Sequence, residues 1–324
     1  MMKVLQGLAA LNNLPPNSVM SIGNFDGMHL GHRALLEKAG ELKASSNAQA
    51  TVVVTFEPHP LSVLRPDRVP PRLTLPQRKQ ELLEAAGVDI LVVLPPDQDV
   101  LNLTAEQFWH ILRDQSRPAH LVEGNTFNFG KNRGGTIEKL REWTAGTSVQ
   151  LHVVDPVQTV LTDMLLVPIS SSVIRWLLSY GRVRDAAICL GRPYELQGVV
   201  VEGAKRGREM GVPTANMDCV DQLIPDDGIY AARVSLDGRT WPVALSIGTN
   251  PTFGQNPRTV EAHIIGFTGD LYGKMLRLEI LDWLRDQQVF AHIELLKARI
   301  TRDIEESLSR ATFDPARPVV AQSA

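Results

Sequence analysis

Cysteine is almost missing from this 324-residue chain, which holds only Cys189 and Cys219. Two distant cysteines build neither a disulfide framework nor a metal cluster. Their expected role is that of small buried hydrophobes in a reducing compartment. A charge of one sign is missing too. Lys and Arg number 33 against 36 Asp and Glu, for a formal net charge of -3 without a long basic run. That excludes a field built to grip a nucleic-acid backbone. No apolar run reaches the ~18 residues a membrane helix needs, and the opening MMKVLQGLAALNNLPP lacks the apolar core of a secretory signal. The expectation is a soluble, cytoplasmic protein with no nucleic-acid or membrane partner. No G-x-x-x-x-G-K-[ST] string occurs, so any phosphate chemistry runs without an ordinary P-loop.

What is present is ordinary in bulk: 44% hydrophobic and 21% charged residues, in a length that favours two domains each with its own core. Histidine is scarce, with 8 residues, yet two of them fall in the single stretch SIGNFDGMHLGH, Ser21 to His32. Apolar Val19-Met20 precedes it and the helix-forming Arg33 to Lys38 follows, so the layout is strand, glycine-bearing loop, helix. Gly23, Gly27 and Gly31 let backbone N–H groups approach an anion, and the helix dipole adds to the attraction. His29 and His32, three apart, share one face of the first turn. Two imidazoles over a phosphate cradle point to chemistry at phosphorus.

The rest of the first half alternates. Continuous apolar strands are expected at 51–56, 89–94, 119–122 and 149–154. Helices are expected from Pro76 to about Ala86, after the capping-box spacing Thr104 to Gln107, and from Gly135 to Trp143. Such alternation implies parallel βαβ units, an open doubly wound sheet, and ligands beyond the carboxyl ends of its strands. Both the 21–32 loop and the Glu57-Pro58-His59-Pro60 turn lie at such an end. Ile169-Ser170-Ser171-Ser172-Val173-Ile174-Arg175 then reads as a helix start. One serine suffices for capping; three with an arginine make a second phosphate grip.

Three segments, S-I-G-N-F-D-G-x-H-x-G-H, T-F-E-P-H-P and I-S-S-S-x-I-R, resemble in order the adenylyltransferase half of prokaryotic bifunctional riboflavin kinase/FAD synthetases. The resemblance implies that His29 and His32 act on the α-phosphate. It places Gly23, Asn24, Phe25, Asp26, Gly27, Gly31, Ser171, Ser172 and Arg175 around the nucleotide. One segment departs from the family: in Gly124 to Gly130, Thr126 and Asn128 stand where members carry an acidic residue and an arginine. One charge of each sign is gone.

Helical patterning runs from Val183 to Leu190 and breaks at Gly191-Arg192-Pro193-Tyr194. Short glycine-punctuated β-type runs follow at 198–201, 229–235, 241–247, 259–265 and 275–281, several of them alternating. A small antiparallel β-barrel buries one face of such strands without sticky edges. A last helix covers Ile293 to Leu308, and the tail from 313 to 324 is expected to fray. By composition, Gly203 to Asn216 is either a solvated basic loop or a phosphate site. Its ending P-T-A-N, with G-x-x-R-G-R-x-x-G, is similar to the riboflavin kinase fingerprint. D-G-I-Y (227–230), S-I-G-T-N-P-T-F-G (246–254), V-E-A-H-I (260–264), D-L-Y-G (270–273) and L-R-D-Q-Q-x-F (284–290) also match. The resemblance implies ATP-phosphate contacts from Gly203, Lys205, Gly207, Arg208, Gly211 and Pro213. It puts Thr214 and Asn216 near Mg²⁺ and makes Glu261 the base. By spacing alone Glu261 is the polar face of a strand.

The whole reading is an adenylyltransferase domain over 1–186 and a kinase domain over 187–312. Its substrates and products are ATP, riboflavin, FMN and FAD, with Mg²⁺, in a monomer or weak homo-oligomer. Two other classes stay open. One is a kinase with a degenerate or re-targeted adenylyltransferase half, and the other is a non-catalytic flavin-binding regulator.

Overall fold

The computed structural model describes residues 1–203, 207, 211–249 and 257–312. The chain divides into two compact units, Met1–Pro70 with Thr74–Val157 and Pro71–Leu73 with Gln158–Ala324. The expected tail 313–324 lies outside the described residues.

In the first unit β1 (Lys3–Gln6) and β2 (Val19–Ile22) lead to α1 (Leu30–Ser46), β3 (Thr51–Phe56), α2 (Leu61–Leu64) and α3 (Pro76–Ala85). β4 (Ile90–Leu94), α4 (Gln98–Leu101), α5 (Ala105–Ile111) and β5 (His120–Gly124) follow. A small ribbon, β6 (Asn128–Phe129) with β7 (Gly135–Thr136), precedes α6 (Ile137–Thr144) and β8 (Gln150–Val154). The sheet has six strands in the order β1-β4-β3-β2-β5-β8, every neighbour parallel.

The period of two sends alternate side chains to opposite faces, and the continuous apolar runs fill both. Met20, Ile22, Val52, Val54, Val92 and Leu94 pack with Phe108, Trp109 and Leu140 from α5 and α6. Val53, Leu91 and Val93 face Leu36 of α1 and Leu83 of α3. The sheet is therefore doubly wound, as the alternation implied. The capping box at α5 is present, with Thr104 Oγ1 accepting from the Gln107 N–H and Gln107 Oε1 accepting from the Thr104 N–H.

The second unit opens with the hairpin β9 (Gln158–Val160) and β10 (Leu166–Pro168), then α7 (Ser171–Leu178) and α8 (Val183–Leu190). Six antiparallel strands close a barrel: β11 (Tyr194–Val201), β12 (Ala215–Asp218), β13 (Gly228–Leu236), β14 (Arg239–Gly248), β15 (Thr259–Ile264) and β16 (Met275–Arg285). Their order is β11-β12-β15-β14-β13-β16, and β16 pairs with both β11 and β13, which removes the open edge. The β13–β14 turn is Asp237-Gly238, both at positive φ, as the tightest hairpins require. α9 (Ile293–Arg310) packs on the barrel, and its Asp303 is gripped by the Nε and Nη2 of Arg285 at 2.9 and 2.6 Å. Cys189 and Cys219 are buried and unbridged. Burial pushes their thiols up to about 11 and about 12, so neither offers a thiolate at neutral pH.

Two candidate active sites

β2 delivers the chain to the 23–29 loop at the carboxyl edge of the sheet. Strand order reverses there, with β3 paired on one side of β2 and β5 on the other. Such a reversal opens the crevice in which open α/β sheets bind ligands. The loop is strained. Phe25 and Met28 have φ of +48° and +43°, although each is only 1% exposed. Of the glycines named in the loop only Gly27, at +89°, takes a left-handed backbone. Packing with Leu36, Val53 and Leu83 holds Phe25 and Met28 in that region.

His29 is the N-cap of α1, its Nδ1 accepting from the His32 N–H at 3.3 Å. The neutral ring therefore keeps its proton on Nε2. The two imidazoles stack with centroids 3.7 Å apart, and the Phe25 ring lies 5.0 Å from His32. Burial, then the charges of His29 and Lys79, push the pKa of His32 well below the usual 6.5. At neutral pH it is an uncharged donor. Its Nδ1 is buried with no hydrogen-bond partner among the described residues.

The E-P-H-P turn closes on the loop. His59 Nδ1 accepts from the Leu61 N–H at 3.1 Å, and its Nε2 lies 3.2 Å from the Asn24 side-chain Nδ2. Asp26 Oδ1 accepts from the Thr74 N–H at 3.0 Å. Lys79 Nζ reaches Glu57 Oε2 at 3.2 Å and the Asn24 carbonyl at 3.4 Å. Lys79 is absent from the sequence reading. Its signal was a lysine on the buried face of α3, one turn before Leu83.

Glu123, also unread, sits at the same reversal. β2 and β5 pair at Val19 and Met20. Two residues on, Glu123 Oε1 accepts from the Ile22 N–H at 2.8 Å in place of a ladder bond. The carboxyl is 1% exposed, and burial raises its pKa well above the ordinary 4.5 despite that hydrogen bond. The folded state thus holds a proton that the unfolded chain has released. Stability from this group is present below about pH 4.5 and declines as pH rises from there to the raised folded value. Glu123→Gln keeps an acceptor and removes the ionisation. Its melting temperature relative to wild type should rise between pH 5 and pH 8 in thermal unfolding. A constant difference would show that Glu123 ionises normally in the fold.

The 124–130 segment is held by local contacts. The Asn128 side-chain amide donates to the Thr126 carbonyl at 2.6 Å, and Phe129 packs against Phe108, Phe127 and Trp143. A neutral local bond and an aromatic cluster shape the segment.

Ser171, Ser172 and Arg175 lie on α7 in the second unit. The capping falls to Ser170, whose Oγ accepts from the Val173 N–H at 3.2 Å, which leaves the hydroxyls of Ser171 and Ser172 outside that task. Arg175 Nε donates to the Pro71 carbonyl at 2.8 Å.

On the barrel, Asn216, Glu261 and Ser246 are directly opposite one another across β12, β15 and β14. Val260, Ala262 and Ile264 point inward, so this row faces outward. Glu261 Oε2 accepts from Thr214 Oγ1 at 3.2 Å and Oε1 from Thr259 Oγ1 at 3.1 Å. Gly203 lies over Asn216; a Cβ there would fall 2.1 Å from its Nδ2. The Val212 N–H donates to the Gly207 carbonyl at 2.8 Å, Gly211 has φ +79°, and the Pro213 carbonyl accepts from His263 Nδ1 at 2.8 Å. Gln287 Nε2 donates to Ser246 Oγ at 3.3 Å, and its Oε1 accepts from the Thr249 N–H at 3.1 Å. Ser246, Thr259 and Gln287 extend the site beyond the residues named from sequence. Lys205 and Arg208 lie outside the described residues.

Comparison with known proteins follows the same division. The riboflavin kinase family matches residues 190–310 and the FAD synthetase family residues 11–165. The bifunctional riboflavin kinase/FMN adenylyltransferase of Pseudomonas fluorescens is 36% identical over 317 residues, 96% of this chain and 99% of that protein. The protein of the same name from Escherichia coli K12 is 34% identical over 320 residues, 98% and 100% of the two chains. A crystal structure from Streptococcus pneumoniae, named a macrolide-efflux protein, superposes with TM-score 0.83 at 28% identity over 95% of this chain and 99% of its own. Among the described residues no helix is long and apolar enough to cross a membrane. End to end, through both units, the chain belongs to the bifunctional riboflavin kinase/FMN adenylyltransferase family.

Proposed function

We propose that this chain makes FMN from riboflavin and ATP on its barrel, and FAD from FMN and ATP on its parallel-sheet half. The observation that carries the proposal is the presence of two unlike phosphate-handling constellations in one chain. One is a neutral, stacked histidine pair at a strand-order reversal. The other is the carboxylate of Glu261 held between the hydroxyls of Thr214 and Thr259.

The two chemistries need different groups. In adenylylation an FMN phosphate oxygen attacks the α-phosphorus of ATP, the bond to the bridging oxygen breaks, and pyrophosphate leaves. The nucleophile is already an anion, so no base is needed. Catalysis is alignment plus stabilisation of charge on the α-phosphoryl. His29 Nε2–H and His32 supply donors to that charge. Gly23, Asn24, Phe25, Asp26, Gly27 and Gly31 form the cradle, and Ser171, Ser172 and Arg175 grip the phosphates. In the kinase a ribityl hydroxyl attacks the γ-phosphorus. Its proton passes to Glu261 as ADP leaves. Gly203, Lys205, Gly207, Arg208, Gly211 and Pro213 line the ATP phosphates.

Thr214 Oγ1 and the Asn216 amide oxygen, beside the Glu261 carboxylate, are hard oxygen donors of the kind Mg²⁺ takes together with substrate phosphates. When bound there, Mg²⁺ would neutralise phosphate charge. We assign the adenylyltransferase to 1–186 and the kinase to 187–312, working on small molecules in the cytoplasm as a monomer or weak homo-oligomer.

A fragment beginning at Gln158 keeps α7 and α8 with the barrel, where their packing lies. It should form FMN and no FAD when riboflavin and Mg-ATP are supplied. Substantial FAD from that fragment would overturn the assignment.

A further inference from the structure

We infer that Lys79 is a positioning residue for adenylylation, tying Asn24 of the histidine loop to Glu57 of the E-P-H-P turn so that the His29–His32 pair meets the α-phosphate in one arrangement. The inference rests on the adenylyltransferase activity proposed above. Lys79 is 6% exposed, and a buried ammonium is costly unless it is paired and hydrogen-bonded. Both conditions hold here, through Glu57 Oε2 at 3.2 Å and the Asn24 carbonyl at 3.4 Å.

An apolar side chain at this point of α3 would pack against the same core without that cost. What the ammonium adds is a fixed joint between three segments far apart in sequence. The loop's strained Phe25 and Met28 flank this joint, and the Asn24 carbonyl it holds also accepts from Thr55 Oγ1 at 3.2 Å. The second contribution is a field. The charges that act on His32 are those of His29 on α1 and Lys79 on α3. The loop's Asp26 bonds Thr74, and in the turn after β3 His59 lies against Asn24 and Glu57 pairs with Lys79. After burial and His29, the charge of Lys79 disfavours protonation of His32.

The test uses the full chain labelled at histidine, with the His32 titration followed by NMR and FAD formation from FMN and ATP followed against pH. In Lys79→Met the His32 midpoint should move up toward 6.5. The acidic limb of kcat should move with it. Misplacement of the pair should lower kcat by about 10–100-fold with a smaller change in KM for FMN. Lys79→Arg, which keeps the charge and the donors, should retain the wild-type midpoint.

Lys79→Met removes the cation paired with the half-buried Glu57 carboxylate and is prone to unfold, so Lys79→Met with Glu57→Gln is measured beside it. The pair should melt near wild type and still show the raised midpoint. The melting curve of the same preparation reports that the parallel-sheet unit is folded, which FMN formation on the barrel does not. An unmoved His32 midpoint and an unmoved pH profile in the double variant would overturn the inference. A wild-type chain that makes no FAD would instead strike the adenylyltransferase proposal, because the NMR titration reads the placement of Lys79 without turnover.

Discussion

His32→Ala should form FAD at least ~10²-fold more slowly than wild type while still making FMN at the wild-type rate. Losing one preorganised donor to a developing oxyanion typically costs about 10²–10³ in kcat, or roughly 3–4 kcal/mol. His32 belongs at the lower end of that range, since its depressed pKa leaves it neutral and the variant loses a hydrogen bond rather than a charge. It is also the cleaner of the two probes. His29 Nδ1 caps α1, so His29→Ala removes a helix cap together with the donor, at about 1 kcal/mol of stability. The His32 ring, by contrast, stacks on His29 and Phe25, and its Nδ1 has no hydrogen-bond partner among the described residues. The dissociation constant of FMN should move little, the mark of an interaction made only in the transition state. Stopped assays with supplied FMN check this, and FAD formation within a few-fold of wild type would reduce the pair to ornaments of a helix turn.

Glu261→Gln should slow FMN formation by about 10²–10⁴-fold, the usual contribution of a general base. The amide still accepts a hydrogen bond, and the hydroxyls of Thr214 and Thr259 can rotate to suit it, so strand pairing with Asn216 and Ser246 should survive. What disappears is the group that takes the ribityl proton. FAD synthesis from supplied FMN should be unaffected, and a wild-type melting curve separates the effect from misfolding of the barrel. Unchanged kinase turnover would return Glu261 to a solvated strand face.

How much of this could be read from the chain alone depended on whether the signal was local. β3 over Thr51–Phe56 and α8 over Val183–Leu190 fall where their patterns end, and the Thr104–Gln107 capping box forms as spelled. β12, Ala-Asn-Met-Asp, carries no such pattern; it is a strand because β11 and β15 pair with it from distant sequence. β11 begins at Tyr194, ahead of the expected 198–201, because Gly198 lies inside the strand rather than at its edge. The histidine loop was legible because its residues are contiguous. Lys79 and Glu123 were not, since each acts through a tertiary contact: Lys79 with a loop some 55 residues earlier and Glu123 with an amide 101 residues away. Gln287 and Ser246 lay within recognised strings, but only the register of β14 against β15 sets Ser246 opposite Glu261.

The most direct measurement is a time course of the full chain with riboflavin and excess Mg-ATP, separating riboflavin, FMN and FAD. FMN should appear first and then be consumed as FAD accumulates with release of pyrophosphate. FMN that builds up without any FAD, even when more FMN and ATP are supplied, would contradict the two-activity proposal and leave the parallel-sheet half without the chemistry assigned to its histidines.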